Sequence, residues 1–283
     1  MTAYARHDIL SARRIVVKVG SSSISGNAEW RIDMLVDAII EARARGQEII
    51  LVSSGAIATA LSLMDFSAGR PTDLATQQAA AAVGQNVLLW RWQSSLARFD
   101  VLAGQVLLTL TDMQNDTPRS NARRALDRLL TLGVLPIVNE NDTVATHEIR
   151  FGDNDRLSAL VAHLMKADAL ILLSDISALY TAPPDRDGAR PIDTIGPDED
   201  MRQYEFGDKV VNSVGTGGAA TKASAARLAQ DNGVGALVTG ADNIADALAG
   251  RQVGTWFAPA PTSEPKTDTL SVILSDDDHE VTR

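Results

Sequence analysis

Two hydrophobic periods alternate along the chain. Ile15-Val16-Val17-Lys18-Val19 is an apolar run broken by one lysine, the pattern of a strand buried on both faces, and it stops at Gly20 and Ser21-Ser22-Ser23. Ile32, Leu35, Val36, Ile39 and Ile40 then recur at helical spacing, and Gly46 supplies the stop. Ile49-Ile50-Leu51-Val52 is a second strand that breaks at Ser53-Ser54-Gly55. The pattern predicts an alanine-rich helix over 75–96 and strands over 101–108 and 134–138. A helix with Ala122, Leu126, Leu129 and Leu130 on one face joins those two strands. A hairpin is expected around 144–151, then a helix with Leu157, Leu160, Val161 and Leu164 inward, then the strand Ala169-Leu170-Ile171-Leu172-Leu173. Residues 181–197, rich in Pro, Asp and Gly, read as an exposed loop. A last helix over 219–230 precedes a strand over 236–239.

This alternation predicts an α/β fold with a mainly parallel central sheet and helices on both faces. Residues 1–258 read as one domain. Residues 259–283, with Pro259, Pro261, Pro265 and Asp276-Asp277-Asp278, read as a tail or linker. In open α/β sheets ligands bind outside the carboxyl ends of the strands, so the polar clusters at those ends are the candidates for chemistry.

Composition narrows the field. The chain has no cysteine, which excludes disulfides and thiolate chemistry and fits a cytoplasmic location. Residues 1–14 are polar, with Arg6, Arg13 and Arg14, and lack the apolar core of a signal peptide. The longest uncharged stretch, 74–90, contains Gln77, Gln78, Gln85 and Asn86 and is too polar to be a good membrane span. The net charge of −10, from 26 basic and 36 acidic residues, argues against nucleic acid as the main partner. A phosphate-bearing ligand would have to be held by local cations and backbone amides.

Several clusters could do so. Lys18, near the end of a buried strand, needs an anionic partner, which is either a ligand phosphate or a carboxylate across the sheet edge. Gly20 beside it would admit a phosphate to the backbone. Gly215-Thr216-Gly217-Gly218-Ala219-Ala220-Thr221-Lys222 opens a helix, where free N–H groups and the dipole favour an anion and disfavour a bare lysine. It is not a Walker A loop, and it matches a dinucleotide fingerprint only loosely; a structural glycine turn is the other reading. Asn139-Glu140-Asn141-Asp142 and Gly152-Asp153-Asn154-Asp155 together suggest an amino-acid pocket, with carboxylates for an α-ammonium and amides for carboxylate oxygens. Ser174-Asp175 either contacts nucleotide or caps the next segment. His7, His147, His163 and His279 are scattered without metal-site spacing, and His163 reads as a packed histidine. Trp30, Trp90, Trp92 and Trp256 read as core or interface residues.

Taken in order, Val17-Lys18-Val19-Gly20-Ser21-Ser22, Val52-Ser53-Ser54-Gly55-Ala56-Ile57, Ala82-Val83-Gly84-Gln85, Pro136-Ile137-Val138-Asn139-Glu140-Asn141-Asp142, Gly152-Asp153-Asn154-Asp155, Leu172-Leu173-Ser174-Asp175 and Gly215-Thr216-Gly217-Gly218 with Thr221-Lys222 resemble the amino acid kinase family. The resemblance is to its glutamate-phosphorylating branch and spans about 14–257. It implies a three-layer α/β/α sandwich whose N-terminal part binds glutamate and whose C-terminal part binds ATP. By the same resemblance Lys18 and Lys222 hold the transferring phosphoryl group, and Asp155 positions the lysines. Ser54, Asp142, Asp153 and Asn154 are the implied glutamate ligands. Lys18, Ser174, Asp175, Thr216, Gly217, Gly218, Ala219, Ala220, Thr221 and Lys222 are the implied ATP contacts. Mg2+ would be held mainly by the ATP phosphates and not by a protein metal site.

The implied reaction is ATP-dependent phosphorylation of the γ-carboxylate of L-glutamate to glutamyl 5-phosphate, the first step of proline biosynthesis. Proline as feedback inhibitor, glutamyl phosphate reductase as partner, and a homo-oligomer are implied with it. The alternatives are a sister kinase acting on acetylglutamate, aspartate, carbamate or UMP, or a non-catalytic amino-acid sensor on the same fold. Three departures stand out. No C-terminal PUA domain is legible after Phe257, Ala219 stands where methionine is frequent, and Ala178 and Pro183 stand where glycine and aspartate are usual.

Overall fold

The computed structural model describes residues 2–24, 30–64, 71–144, 154–206 and 218–260. The expected hairpin around 144–151 falls almost wholly outside them. The apolar run around Lys18 becomes β1 (Arg14–Val19), at the middle of one sheet. On one side of it lie β2 (Glu48–Ser53), β4 (Leu135–Glu140) and β3 (Ala103–Leu108), and on the other β5 (Ala169–Ser174) and β7 (Gly235–Gly240), all parallel. The chain thus leaves β1 in one direction for β2 and later returns to its other side with β5, so a topological switch point lies at the carboxyl ends of these central strands.

The period-two alternation of β1 decides what each face of the sheet meets. Ile15, Val17 and Val19 face a core built with α1 (Arg31–Ala44), α3 (Leu74–Leu96) and α8 (Ile244–Leu248). Val16, and with it Lys18, faces the opposite core, made with α5 (Asp116–Thr131), α6 (Asn154–Leu164) and α7 (Ala219–Asp231). The sheet between two helical layers is the three-layer sandwich that the resemblance implied. Gly46 does stop α1, and its φ of 90° is the left-handed conformation that suits glycine there.

The structure corrects the loop expected over 181–197. Thr194–Ile195 forms β6, which pairs with β8 (Thr255–Phe257), and β8 in turn runs antiparallel to β7. Strands of two and three residues are too short to show a period, and their pairing comes from tertiary fit. Gly235, for example, leaves room for the Trp256 ring, since an added Cβ would lie 2.4 Å from it. Trp92 and Trp256 are buried core residues, whereas Trp30 and Trp90 are exposed. His163 is only half-buried in α6. Among the described residues no helix is long and apolar enough to cross a membrane.

Two local constraints can be tested. α2 (Ala56–Leu61) crosses α3 so closely that a Cβ on Gly84 would sit 1.7 Å from the Ala56 carbonyl oxygen. Gly84→Ala should cost about 3 kcal/mol or more, as overpacking against backbone does, read as a drop in unfolding midpoint. At the start of β1 and β2, Glu48 accepts from Arg14 Nε at 2.8 Å and Arg13 Nη2 at 3.1 Å. Partial burial pushes the Glu48 carboxyl up, but the Arg14 and Arg13 hydrogen bonds and charges outweigh it and hold it below its ordinary 4.5. A carboxyl depressed in the folded state stabilises above its unfolded pKa and loses that contribution as pH falls through the folded pKa. The stability gap between the parent and Glu48→Gln should therefore be full near neutral pH and close below 4.5.

Candidate active site

Lys18 reaches the site because its place in β1 turns it toward α6 and α7. Asp155 lies in the first turn of α6, and Thr221 and Lys222 lie in the first turn of α7. Lys18 Nζ is 2.5 Å from Asp155 Oδ1, and Lys222 Nζ donates to Asp155 Oδ2 at 3.2 Å. The Thr221 hydroxyl lies 3.3 Å from the same Oδ2 and 3.0 Å from the Gly218 carbonyl, and accepts the Gly218 N–H at 3.1 Å. All three charged groups are buried, Lys18 to 3 %, Lys222 to 5 % and Asp155 to 0 % exposure. Two ammonium groups thus share one carboxylate, in a setting where unpaired charge is costly. Of the two readings of Lys18, the carboxylate partner is present in the structure, as Asp155.

A cleft of about 170 Å³ opens beside this cluster, lined by Asp175, Tyr180, Pro183, Phe206, Gly218 and Ala219 among others. Two positions where the chain departs from the family pattern, Pro183 and Ala219, line its wall, while Ala178 is buried and not part of the lining. Tyr204 packs on Phe206, with ring centroids 5.6 Å apart, and donates its hydroxyl to Glu199. Burial, with the Glu199 hydrogen bond and charge, pushes the Tyr204 phenol up to about 12, so it stays a neutral donor. Ser174 is buried at the end of β5 and donates to Asp175 Oδ1 at 3.1 Å, while Asp175 itself is exposed at the cleft. Gly20 is not forced by its backbone. A Cβ there would meet Lys18 Nζ at 3.7 Å, an ordinary contact, so the glycine keeps space in front of the lysine open.

On the other side of β1, Ser54 directs both its N–H and its hydroxyl to the Val19 carbonyl, at 3.2 and 3.1 Å. Asn154 opens α6 and donates its amide nitrogen to the Ser53 carbonyl at 2.8 Å and to Asn139 Oδ1 at 2.6 Å. Its nitrogen is therefore taken by the frame, which leaves the Oδ1 acceptor. Asp142 lies in the turn that follows β4. Asp153, Thr216 and Gly217 lie outside the described residues. The structure thus brings Lys18, Asp155, Thr221 and Lys222 into one cluster and sets Ser54 and Asn154 at the neighbouring strand ends.

Sequence reasoning missed the roles of Gln85, Gln105 and Asn139. Gln85 Nε2 donates to the Glu140 carbonyl at 3.2 Å, and Gln85 Oε1 accepts from Asn139 Nδ2 at 3.2 Å and from Gln105 Nε2 at 2.9 Å. The available signal was a glutamine at the core spacing of α3, in register with the buried Ala81, Leu88 and Trp92.

Comparison with known proteins follows this geometry. Residues 13–240 match the amino acid kinase family. A glutamate 5-kinase of Leifsonia xyli subsp. xyli is 60% identical over 260 residues, which is 92% of this chain and 96% of that protein. A glutamate 5-kinase of Clavibacter michiganensis subsp. michiganensis is 59% identical over 92% of this chain and 99% of its own length, and one of Thermobifida fusca is 48% identical over 94% of this chain and 69% of its own length. Among solved structures, the carbamate kinase from Giardia lamblia bound to AMP-PNP superposes with a TM-score of 0.64 at 15% identity, over 89% of this chain and all of that one. The UMP kinase from Bacillus anthracis gives 0.57 at 16% identity, over 88% of this chain and 97% of its own. These two share the fold. With the family match over most of its length and relatives near 60% identity, the chain belongs to the amino acid kinase family.

Proposed function

We propose that this chain transfers the γ-phosphoryl group of ATP to the γ-carboxylate of L-glutamate, forming glutamyl 5-phosphate, the first step of proline biosynthesis. The observation that carries the reading is the pair of buried lysines sharing one aspartate at the carboxyl ends of the central strands. The family match and the similarity to glutamate 5-kinases support the substrate.

The residues suit the ligands. Phosphates laid along the cleft from Gly218 would meet the first turn of α7, where the dipole favours an anion, close to Lys18 and Lys222. The apolar wall of Tyr180, Pro183 and Phe206 suits a flat base. Asp155 is engaged by both lysines, so it is not free to serve as a magnesium ligand, and Mg2+ would arrive on the ATP phosphates with its waters. At the other end, Asn154 Oδ1 offers an acceptor for an α-ammonium, and the family resemblance adds the Asp142 and Asp153 carboxylates as glutamate ligands. That favours free glutamate over acetylglutamate, which has no ammonium.

Little covalent help is needed. The γ-carboxylate, with a reference pKa of about 4.3, is already ionised at neutral pH, so no general base is required. One of its oxygens attacks the γ-phosphorus in line, the bond to the bridging oxygen breaks, and ADP leaves with the electron pair. The barrier is the approach of two anions. Lys18 and Lys222 lower it by meeting charge that develops on the transferring group, and Asp155 holds them ready so that no reorganisation is needed. The acyl phosphate is labile in water, which fits immediate consumption by a glutamyl phosphate reductase. Feedback inhibition by proline is what the family resemblance implies.

Incubating the chain with ATP, Mg2+ and each of glutamate, aspartate, acetylglutamate and UMP, with hydroxylamine as trap, should give the hydroxamate with glutamate alone. Turnover confined to another acceptor would overturn the substrate. Lys18→Ala and Lys222→Ala should each lower kcat by roughly 10²-fold or more, the scale of losing one preorganised donor. Unchanged turnover in Lys222→Ala would remove that lysine from the transferring group.

A further inference from the structure

We propose that Gln85 is a positioning residue that helps to fix which atom of Asn154 the substrate meets, and that it thereby strengthens selectivity for an acceptor bearing an α-ammonium. This rests on the reading of Asn154 as a glutamate ligand. Three side-chain amides form one buried chain from α3 through β4 to α6: Gln85 at 6 %, Asn139 at 2 % and Asn154 at 8 % exposure. A primary amide can be turned by half a rotation, which swaps its donor for its acceptor with almost no change of shape. Each turn in this chain is fixed by its neighbours. Gln85 Nε2 is held by the Glu140 carbonyl at 3.2 Å, which obliges Oε1 to face Asn139 and Gln105. Oε1 can only accept, so Asn139 presents Nδ2 to it. Asn139 Oδ1 then faces the other way and accepts from Asn154 Nδ2 at 2.6 Å and from the Glu140 N–H at 2.9 Å. Asn154 Nδ2 is also held by the Ser53 carbonyl at 2.8 Å. Among the described residues, the polar side-chain atom of Asn154 left for a ligand is Oδ1, an acceptor.

An acceptor there suits an ammonium group and opposes a carboxylate. If Asn139 turned over, it would offer Nδ2 to Asn154, whose own amide would turn in response and present a donor to the substrate. The choice is thus reinforced from α3, by a side chain that needs no contact with the ligand, while the Glu140 N–H and the Ser53 carbonyl favour the same orientation from β4 and β2. Gln105 on β3 adds a second donor to Gln85 Oε1 and holds the same orientation. The geometry accounts for a polar side chain at a core position of α3, which packing alone would fill with leucine or methionine.

The test compares glutamate with glutarate, which has both carboxylates and no α-ammonium. Glutamate KM, the inhibition constant of glutarate against glutamate, and the ATP KM are measured for the whole chain and for Gln85→Met, Gln85→Glu and Asn154→Ala. Gln85→Met keeps the volume and removes both polar atoms. It should raise glutamate KM about tenfold, the scale of one hydrogen bond to a charged group, and leave glutarate inhibition and ATP KM within about twofold. Gln85→Glu keeps the acceptor that orients Asn139 and should keep the glutamate-to-glutarate ratio within about threefold of the parent. A structural role alone would weaken glutamate and glutarate together, and that outcome would overturn the proposal. So would an unchanged ratio in Gln85→Met alongside a reduced ratio in Asn154→Ala, or a ratio in Gln85→Glu as low as in Gln85→Met. An unchanged ratio in Asn154→Ala would instead remove Asn154 from the substrate site, and with it the reading on which the proposal stands. Should Gln85→Met not fold, Gln105→Leu replaces it, with a smaller fall in the same ratio expected and no fall counting against the proposal.

Discussion

Everything at the centre of this molecule is arranged around one buried carboxylate between two ammonium groups. Asp155 takes Lys18 on one oxygen and Lys222 on the other, out of contact with bulk water. Removing one partner of such a buried pair typically costs about 3–5 kcal/mol, and here the loss of Asp155 would leave two like charges together. The arrangement is held because its parts come from separate elements: a central strand and the first turns of two helices. Lys18 belongs to the first half of the chain and Lys222 to the second, with Asp155 tying them across the switch point of the sheet. The same ion pairs that join the halves bring two ammonium groups together, and on the proposed reading those two groups meet the phosphoryl group.

The overall charge of −10 works against an anionic nucleotide, and long-range attraction cannot bring it in. On the proposed reading recognition is local, by two lysines, the first turn of α7 and the apolar wall of the cleft. The surroundings of Asn154 are made differently, of side-chain amides and backbone carbonyls, and amides can be read by which end they present. On the proposed reading charge handles the phosphate, while these amides act beside the carboxylates on the amino acid.

Much of this was legible before any coordinates. β1, β2, β5 and β7 showed themselves because strands buried on both faces give continuous apolar runs, and α1, α5 and α6 because half-buried helices give a 3.6 period. Lys18 stood out as the one charge inside such a run. β6, β8, α2 and α8 did not show, since two to six residues cannot carry a period, and partner surfaces decide their conformation. The charge balance of the site was invisible for a different reason. Nothing in local spacing tells that Asp155 faces both lysines; its role was an inference from family resemblance, and the geometry supplies the physical reason. Gln85 was quoted within a motif without a role, because a single polar residue in a helical stripe acquires meaning only when its hydrogen-bond partners are known.

The central claim is that Lys18 and Lys222, held by Asp155, receive the transferring phosphoryl group. The most direct measurement is a crystal structure of the chain with ADP, Mg2+, glutamate and a planar aluminium fluoride in place of the phosphoryl group. The account predicts both lysine Nζ atoms within about 3 Å of the fluoride ligands while Asp155 keeps its contacts to both. A fluoroaluminate bound away from the two lysines, or held with Asp155 turned out of the cluster, would contradict it.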